Sequence, residues 1–230
     1  MKREIRELLV QGGNQLGIEL KSQEVVKFSE LSAELNKWNK KINLTSIRDD
    51  SDVVLKHFID SLSLLKVIGK EGRLLDVGSG GGFPAIPLKI MLPLLSVVSV
   101  DAVEKKILFQ RHVARILRLH DFSALHARVE ELSLRYPLHF NWIVSRAFSD
   151  IPAFVRIALP LLKDNGCIVA MKGKKGKEEA VAAEKECLEM GVAVTAVLDI
   201  TLPVTGATRC LVLMQKREWS QGNIHSKKTI

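Results

Sequence analysis

Apolar residues fall into two textures along this chain, and the change comes near residue 70. Residues 1–68 carry apolar positions three and four apart, the period of a helix face. Residues 3–20 read as a helix interrupted near Gly12-Gly13. A second is expected after Ser22, a candidate N-cap, with Phe28, Leu31, Leu35, Trp38 and Ile42 as its stripe and Asn43-Leu44-Thr45 as its end. Asp49, Asp50 and Ser51 are candidates to cap a third helix, whose apolar face carries Leu55, Phe58, Ile59, Leu62 and Leu65.

From Arg73 onward, short apolar runs alternate with helical patterns. Strands are expected over 73–77, 95–101, 122–126, 141–145, 167–171, 192–200 and 209–215. Helices are expected over 84–92, 104–119, 151–162 and 175–189. Strands alternating with helices make parallel βαβ units. The last two strands have no helix between them and are expected to pair as an antiparallel hairpin. The fold class is α/β: a mostly parallel seven-stranded sheet behind an N-terminal helical extension. The expected boundaries are 1–68 for the extension, 69–218 for the α/β domain and 219–230 for a polar tail.

Composition narrows the function in one respect. The 230 residues are 47% apolar and 26% charged, ordinary for a globular core. The net charge of +8 points to an acidic partner, nucleic acid first. Cys167, Cys187 and Cys210 lie far apart and form no CxxC pair, so neither a zinc site nor a disulfide framework is expected. The N-terminal MKREIRELL lacks the apolar core of a signal peptide, and no apolar run reaches membrane-spanning length. A cytoplasmic, monomeric protein with no membrane contact and no metal is the expectation.

The candidate chemistry centres on RLLDVGSGGGFPAIPLK, residues 73–89. It reads as a strand, a glycine loop and a helix start, where backbone N–H groups can meet a ligand's acceptors. A phosphate-binding P-loop needs GxxxxGK[ST], and no Lys-Ser or Lys-Thr follows these glycines. The dinucleotide pattern GxGxxG begins at Gly78-Ser79-Gly80 but meets Phe83 at its sixth position. What remains is DxGxGxG, filled by Asp76, Gly78, Gly80 and Gly82, which resembles motif I of the Rossmann-like class I S-adenosylmethionine (SAM) methyltransferases. Asp101 ends the second strand, where a carboxylate can accept both hydroxyls of a ribose. NAD and SAM both need that contact, so Asp101 does not choose between them.

The segment after the fourth strand, Ser145-Arg146-Ala147-Phe148, contains no (D/N)PPY motif, and no cysteine follows a proline. Covalent catalysis is not expected, and an acceptor with a ready lone pair, such as guanine N7, would need no general base. Arg146 can hold an acceptor oxygen or the SAM carboxylate. Lys172, Lys174, Lys175 and Lys177 crowd a loop past the fifth strand and are candidates for RNA phosphates. Arg111, Arg115 and Arg118 fall on one side of a predicted helix, where a solvated face is the simpler reading.

Several pieces coincide in order and separation: Asn43-Leu44-Thr45, His57-Phe58-Ile59-Asp60-Ser61, DVGSGGGFPAIPLKI (76–90), Arg128-Val129-Glu130-Glu131, Ser145-Arg146-Ala147 and Met171-Lys172-Gly173. Together, over residues 25–215, they resemble the GidB/RsmG family of 16S ribosomal RNA guanine-N7 methyltransferases. The resemblance implies SAM as methyl donor and a guanine in the 530 loop of 16S rRNA, free or in the 30S subunit, as acceptor. It implies cofactor contacts at Gly78, Phe83, Val129, Glu130 and Arg146; the loop positions Ser79, Gly80 and Gly82, and Asp101 with its neighbour Ala102 from the ribose argument, complete the candidate cofactor site. It makes Asn43, His57, Asp60, Ser61 and Arg146 candidates for the acceptor pocket. Ala85 and Ala102 stand where the family often has glycine and serine. The competing readings are a small-molecule methyltransferase, a SAM- and RNA-binding protein without catalysis, and an NAD-dependent oxidoreductase, the last disfavoured by Phe83.

Overall fold

Each central strand sends its side chains alternately into two buried layers, which is why the runs read as continuously apolar. In the computed structural model, which describes residues 1–146, 148 and 150–217, Leu74, Val97, Val144 and Val169 face one core. Their neighbours Leu75, Val98, Ile143 and Ile168 face the other. The strands are β1 (Gly72–Val77), β2 (Leu95–Asp101), β3 (Phe122–His126), β4 (Phe140–Ser145), β5 (Leu162–Lys172), β6 (Val192–Thr201) and β7 (Thr208–Lys216). The helices are α1 (Arg3–Gln15), α2 (Ser22–Ile42), α3 (Asp50–Val53), α4 (Asp60–Leu62), α5 (Ala85–Met91), α6 (Glu104–Ile116), α7 (Ile151–Ala158) and α8 (Gly176–Glu189). Residues of α1, α2, α5 and α6 share the first core, and α7 and α8 cover the second.

The sheet order is β3-β2-β1-β4-β5-β7-β6. The first five strands pair in parallel, and β7 runs antiparallel between β5 and β6. The order reverses between β1 and β4, so a crevice opens beyond their carboxyl ends, where ligands of open α/β sheets bind. Ser145 Oγ ties those ends together by donating to the Val77 carbonyl at 2.8 Å.

The N-terminal helices depart from expectation in instructive ways. Gly12 and Gly13 lie inside α1 instead of breaking it. A Cβ on Gly12 would sit 2.8 Å from Ile59 Cδ1, so the glycine serves close packing. The N-cap of α2 is Lys21, one residue before Ser22, and its N–H donates to the Glu24 carboxylate at 2.6 Å. Asp49 caps α3, accepting from the Ser51 and Asp52 N–H groups at 2.9 and 3.2 Å. Beyond α3 the chain passes through a π-helical turn (Val54–Ile59), α4 and a 3-10 turn (Ser63–Lys66). These changes of pitch fully bury Leu64 and leave Leu65 only partly buried.

Two further differences lie in the α/β part. α6 stops at Ile116, and Arg118 has a φ of +51°, so Arg111, Arg115 and Arg118 do not share a helix face. Arg111 Nε instead donates to the Ala124 carbonyl at 2.9 Å. β5 begins at Leu162, paired to Phe140 across a register shift. Polar residues 163–165 follow inside the strand and hide it from a search for apolar runs. The tail from Trp219 and residue Ala147 lie outside the described residues.

Candidate active site

The glycine loop leaves β1 through three left-handed positions, Gly78, Gly80 and Gly82, with φ of +68°, +59° and +86°. Side chains at such angles are strained. A Cβ on Gly82 would also collide with Ile86, 2.4 Å away, whereas one on Gly80 would point into open space. The loop is held from two sides. Gly78 and Ser79 N–H donate to the Val100 carbonyl at 3.0 and 3.1 Å, and Gly80 N–H donates to Asp101 Oδ2 at 2.8 Å. From α6, the fully buried Gln110 donates to Ser79 Oγ and to the Gly80 carbonyl, both at 2.8 Å, and accepts from Ser99 Oγ at 2.6 Å.

The start of α5 does not offer its amides to a ligand. Ala85 N–H donates to Asp76 Oδ2 at 3.0 Å. Asp76 is fully buried, and among the described residues its Oδ1 has no hydrogen-bond partner. Burial raises its pKa to about 7, with Asp101 adding to the rise and the Ala85 N–H and Arg146 opposing it. A buried carboxylate with one bare oxygen is costly unless something binds it.

Beside the loop lies a cleft of about 240 Å³ lined by Gly78, Asp101, Ala102, Val129, Glu130 and Phe148, among others. Asp101 Oδ1 accepts from Val103 N–H at 2.9 Å, and its carboxylate is 3.6 Å from Lys106 Nζ. Each Asp101 oxygen retains a further lone pair for a hydroxyl donor. Val129 is buried and Glu130 exposed at the start of a 3-10 turn (Val129–Leu134).

On the other side of the loop the π-helical turn delivers a polar cluster. His57 stacks on Phe83, with ring centroids 4.4 Å apart and planes within 5°. Arg146 Nη1 lies 3.3 Å from His57 Nδ1, 3.3 Å from Asp60 Oδ2 and 3.2 Å from the Lys56 carbonyl. A guanidinium only donates, so Nδ1 accepts and the His57 proton sits on Nε2. That nitrogen is 3.0 Å from Thr45 Oγ1, which also accepts from Ile47 N–H at 3.1 Å. Burial first, then the Arg146 charge, depress the His57 pKa to about 3, so the ring is neutral at physiological pH. Asp60 is fully buried and receives Arg209 Nε at 2.5 Å as well as Arg146. Two guanidiniums around one carboxylate leave the cluster with a net positive charge.

The structure thus brings together His57, Asp60, Phe83 and Arg146, and lines the neighbouring cleft with Gly78, Asp101, Ala102, Val129 and Glu130. Three expected residues stand elsewhere. Asn43 is the exposed, left-handed C-cap of α2 and lines a separate groove with Lys40 and Arg48. Ser61 is fully buried and its hydroxyl donates back to the His57 carbonyl at 2.5 Å, so no donor is left for a ligand. Lys172 is not on an exposed loop: it is 6% exposed and pairs with Glu179 at 2.7 Å. Lys174, Lys175 and Lys177 are exposed. Thr45 and Arg209 join the cluster without being candidates from the sequence. Thr45 belongs to the Asn43-Leu44-Thr45 motif, which was the available signal. Arg209 carries no local signal, since its partner Asp60 is 149 positions away.

The arrangement fits SAM. An ammonium would complete Asp76 Oδ1, and a carboxylate would complement the part-exposed Arg146, whose charge is felt at Asp76. Asp101 remains able to accept ribose hydroxyls, and Val129 and Phe148 supply apolar walls for an adenine. Sheet order, glycine loop and cleft define a class I SAM-dependent methyltransferase fold. Solved structures agree on the fold: a SAM-dependent methyltransferase from Aquifex aeolicus superposes with a TM-score of 0.58 at 18% identity, covering 75% of this chain and 96% of that one. TYW2 of M. jannaschii, solved in complex with AdoMet, gives 0.56 at 11% identity, covering 69% and 75%.

The sequence is more specific. Residues 24–204 match the family described as GidB, rRNA small subunit methyltransferase G. The ribosomal RNA small subunit methyltransferase G of Geobacter metallireducens is 56% identical over 220 residues, covering 96% of this chain and all of that protein. The chain belongs to the GidB family.

Proposed function

We propose that this protein methylates N7 of a guanine in the 530 loop of 16S rRNA, with SAM as donor, acting as a monomer in the cytoplasm on the RNA or the 30S subunit. Membership of the small-subunit rRNA methyltransferase family supports the substrate class. The observation that carries the choice of acceptor atom is the state of His57. Its ring stacks on Phe83 beside the glycine loop, and it is neutral, with both nitrogens engaged.

The other reactive candidates are equally quiet. Burial lifts the thiols of Cys167 and Cys210 to about 11, and Cys187 is raised as well, so none is a nucleophile at neutral pH. Asp76 titrates near 7 but is fully buried, with Oδ2 on the Ala85 N–H, so it is closed to an acceptor. A site with no base open to the acceptor suits guanine N7, whose lone pair carries no proton to be removed. SAM supplies a methyl group on a sulfonium, and its transfer leaves a neutral thioether. Asp76 and Arg146 hold the amino-acid end, Asp101 the ribose, and the Phe83–His57 stack walls the side facing the acceptor. The protein's contribution is alignment and exclusion of water.

Exposed Lys174, Lys175 and Lys177, between β5 and α8, are proposed to contact RNA phosphates. The test is methyl transfer to small subunits from cells lacking the modification, followed by cleavage chemistry specific for 7-methylguanine. A single cleavage in the 530 loop is expected. Transfer to another atom, or only to free nucleotides, refutes the proposal.

A further inference from the structure

Lys172 and Arg209 sit side by side at the ends of two paired strands, since Lys172 is opposite Cys210 in the β5–β7 ladder. Their side chains leave that edge in different directions. Lys172 Nζ donates to the Phe148 carbonyl at 3.0 Å and pairs with Glu179 on α8 at 2.7 Å. Phe148 lines the cleft, and its ring stacks on Phe154 of α7 at 5.2 Å. Arg209 Nη1 donates to the Lys172 carbonyl at 3.2 Å while Nε reaches Asp60. Asp60 in turn holds Arg146. The first turn of α8 closes over the lysine: a Cβ on Gly176 would lie 2.6 Å from Lys172 Cβ.

We propose that Lys172 and Arg209 are positioning residues for the cofactor site, and that Lys172 is not an RNA contact. Lys172 sets the cleft wall through the Phe148 backbone. Arg209 sets the amino-acid end through Asp60 and Arg146. Together they brace both ends of the SAM site against the antiparallel edge of the sheet. A lysine 6% exposed, with its charge already paired to Glu179 and its ammonium on the Phe148 carbonyl, is enclosed from a phosphate approaching through solvent. The inference rests on SAM as the cofactor, so wild-type binding of S-adenosylhomocysteine is measured first. Its absence would refute the cofactor reading and not merely the braces.

Lys172→Met keeps the stem and removes the ammonium. Calorimetry should show about tenfold weaker S-adenosylhomocysteine binding, the KM for SAM rising while kcat changes less. Affinity for small-subunit rRNA and its salt slope should match wild type, and Lys172→Arg should recover most of the loss. Unchanged S-adenosylhomocysteine affinity with a shallower salt slope would make Lys172 a phosphate contact and overturn the proposal. Equal loss of every readout, unrescued by arginine, would reduce it to a fold residue and overturn it as well. If Lys172→Met does not fold, Glu179→Gln, at a half-exposed position, carries the test. About threefold weaker S-adenosylhomocysteine binding is expected from release of the ammonium, and no change refutes. Arg209→Lys should raise the KM for SAM in the same way, and an unaltered KM removes Arg209 from the assignment.

Discussion

Replacing Asp76 by Asn should make the ligand-free protein more stable at alkaline pH and spoil SAM binding. The carboxylate is fully buried, has one oxygen without a partner, and titrates near 7 in the folded chain against an ordinary value of 3.8. Below pH 3.8 the group is protonated in folded and unfolded chains alike and contributes nothing to the pH dependence. Between 3.8 and about 7 the unfolded chain releases its proton and the folded chain keeps it, so stability falls as pH rises. Above 7 the full cost is present, about 4 kcal/mol at roughly 1.4 kcal/mol per tenfold. Asn has the shape of the protonated acid and can accept the Ala85 N–H without ever ionising.

The assay is urea unfolding of both proteins at pH 4.5 and pH 8. The other titrating groups are common to both, so the difference isolates Asp76. Asp76→Asn should gain on wild type by about 2–4 kcal/mol between these pH values. S-adenosylhomocysteine titrations should show the converse. Wild-type affinity should rise close to tenfold per pH unit from 5 to 7, because an ammonium needs the ionised carboxylate. The variant should bind weakly with no such slope. A stability difference that is the same at both pH values, or a variant that binds the cofactor normally, refutes the reasoning.

Other outcomes follow from the same contacts. The His57 ring should show no titration between pH 5 and 8 by proton NMR; a midpoint near 6.5 would contradict the depression to about 3 that burial and Arg146 impose. Above pH 6.5 the ring is neutral in both states; from 6.5 toward 3 the unfolded chain binds a proton that the folded chain refuses, so stability falls as pH falls. Gln110→Leu takes the acceptor from the buried Ser99 hydroxyl and the donor from Ser79 Oγ and the Gly80 carbonyl, and should cost about 2–4 kcal/mol in denaturant unfolding, with weaker SAM binding. The triple change of Lys174, Lys175 and Lys177 to Ala should lower the slope of log affinity for rRNA against log salt by about two, leaving S-adenosylhomocysteine affinity alone. A parallel loss of cofactor affinity would refute that division.

The sheet was legible because both of its faces are buried. Runs such as Leu95–Asp101 can be read as strands with no knowledge of their partners, and the missing helix between β6 and β7 announces the hairpin. The glycine loop was legible because backbone geometry selects residue type directly at Gly78, Gly80 and Gly82. Burial of polar groups was not. Lys172 reads as part of a basic loop, yet it is enclosed by α8, a fact carried by Gly176 and Cys210 and not by its neighbours in a charge run. Asp76 sits in the recognised motif, but its bare oxygen emerges only when Ala85 claims the other one. The π-helical turn at Val54–Ile59 breaks the helical period, so a stripe drawn through it assigns Leu65 where Leu64 belongs.

The placement of β7 between β5 and β6 bears on how the enzyme is made. Synthesis runs from the N-terminus, so β6 leaves the ribosome before the strand that must separate it from β5. Until residues 208–216 emerge, the slot beside β5 has no legitimate occupant, and Asp60 waits without Arg209. A nascent chain stalled before this point holds the glycine loop and Asp101 but lacks the brace on Arg146. Competence for methyl transfer therefore arrives with the last strand, and a truncation just ahead of Thr208 should yield a chain that cannot mature.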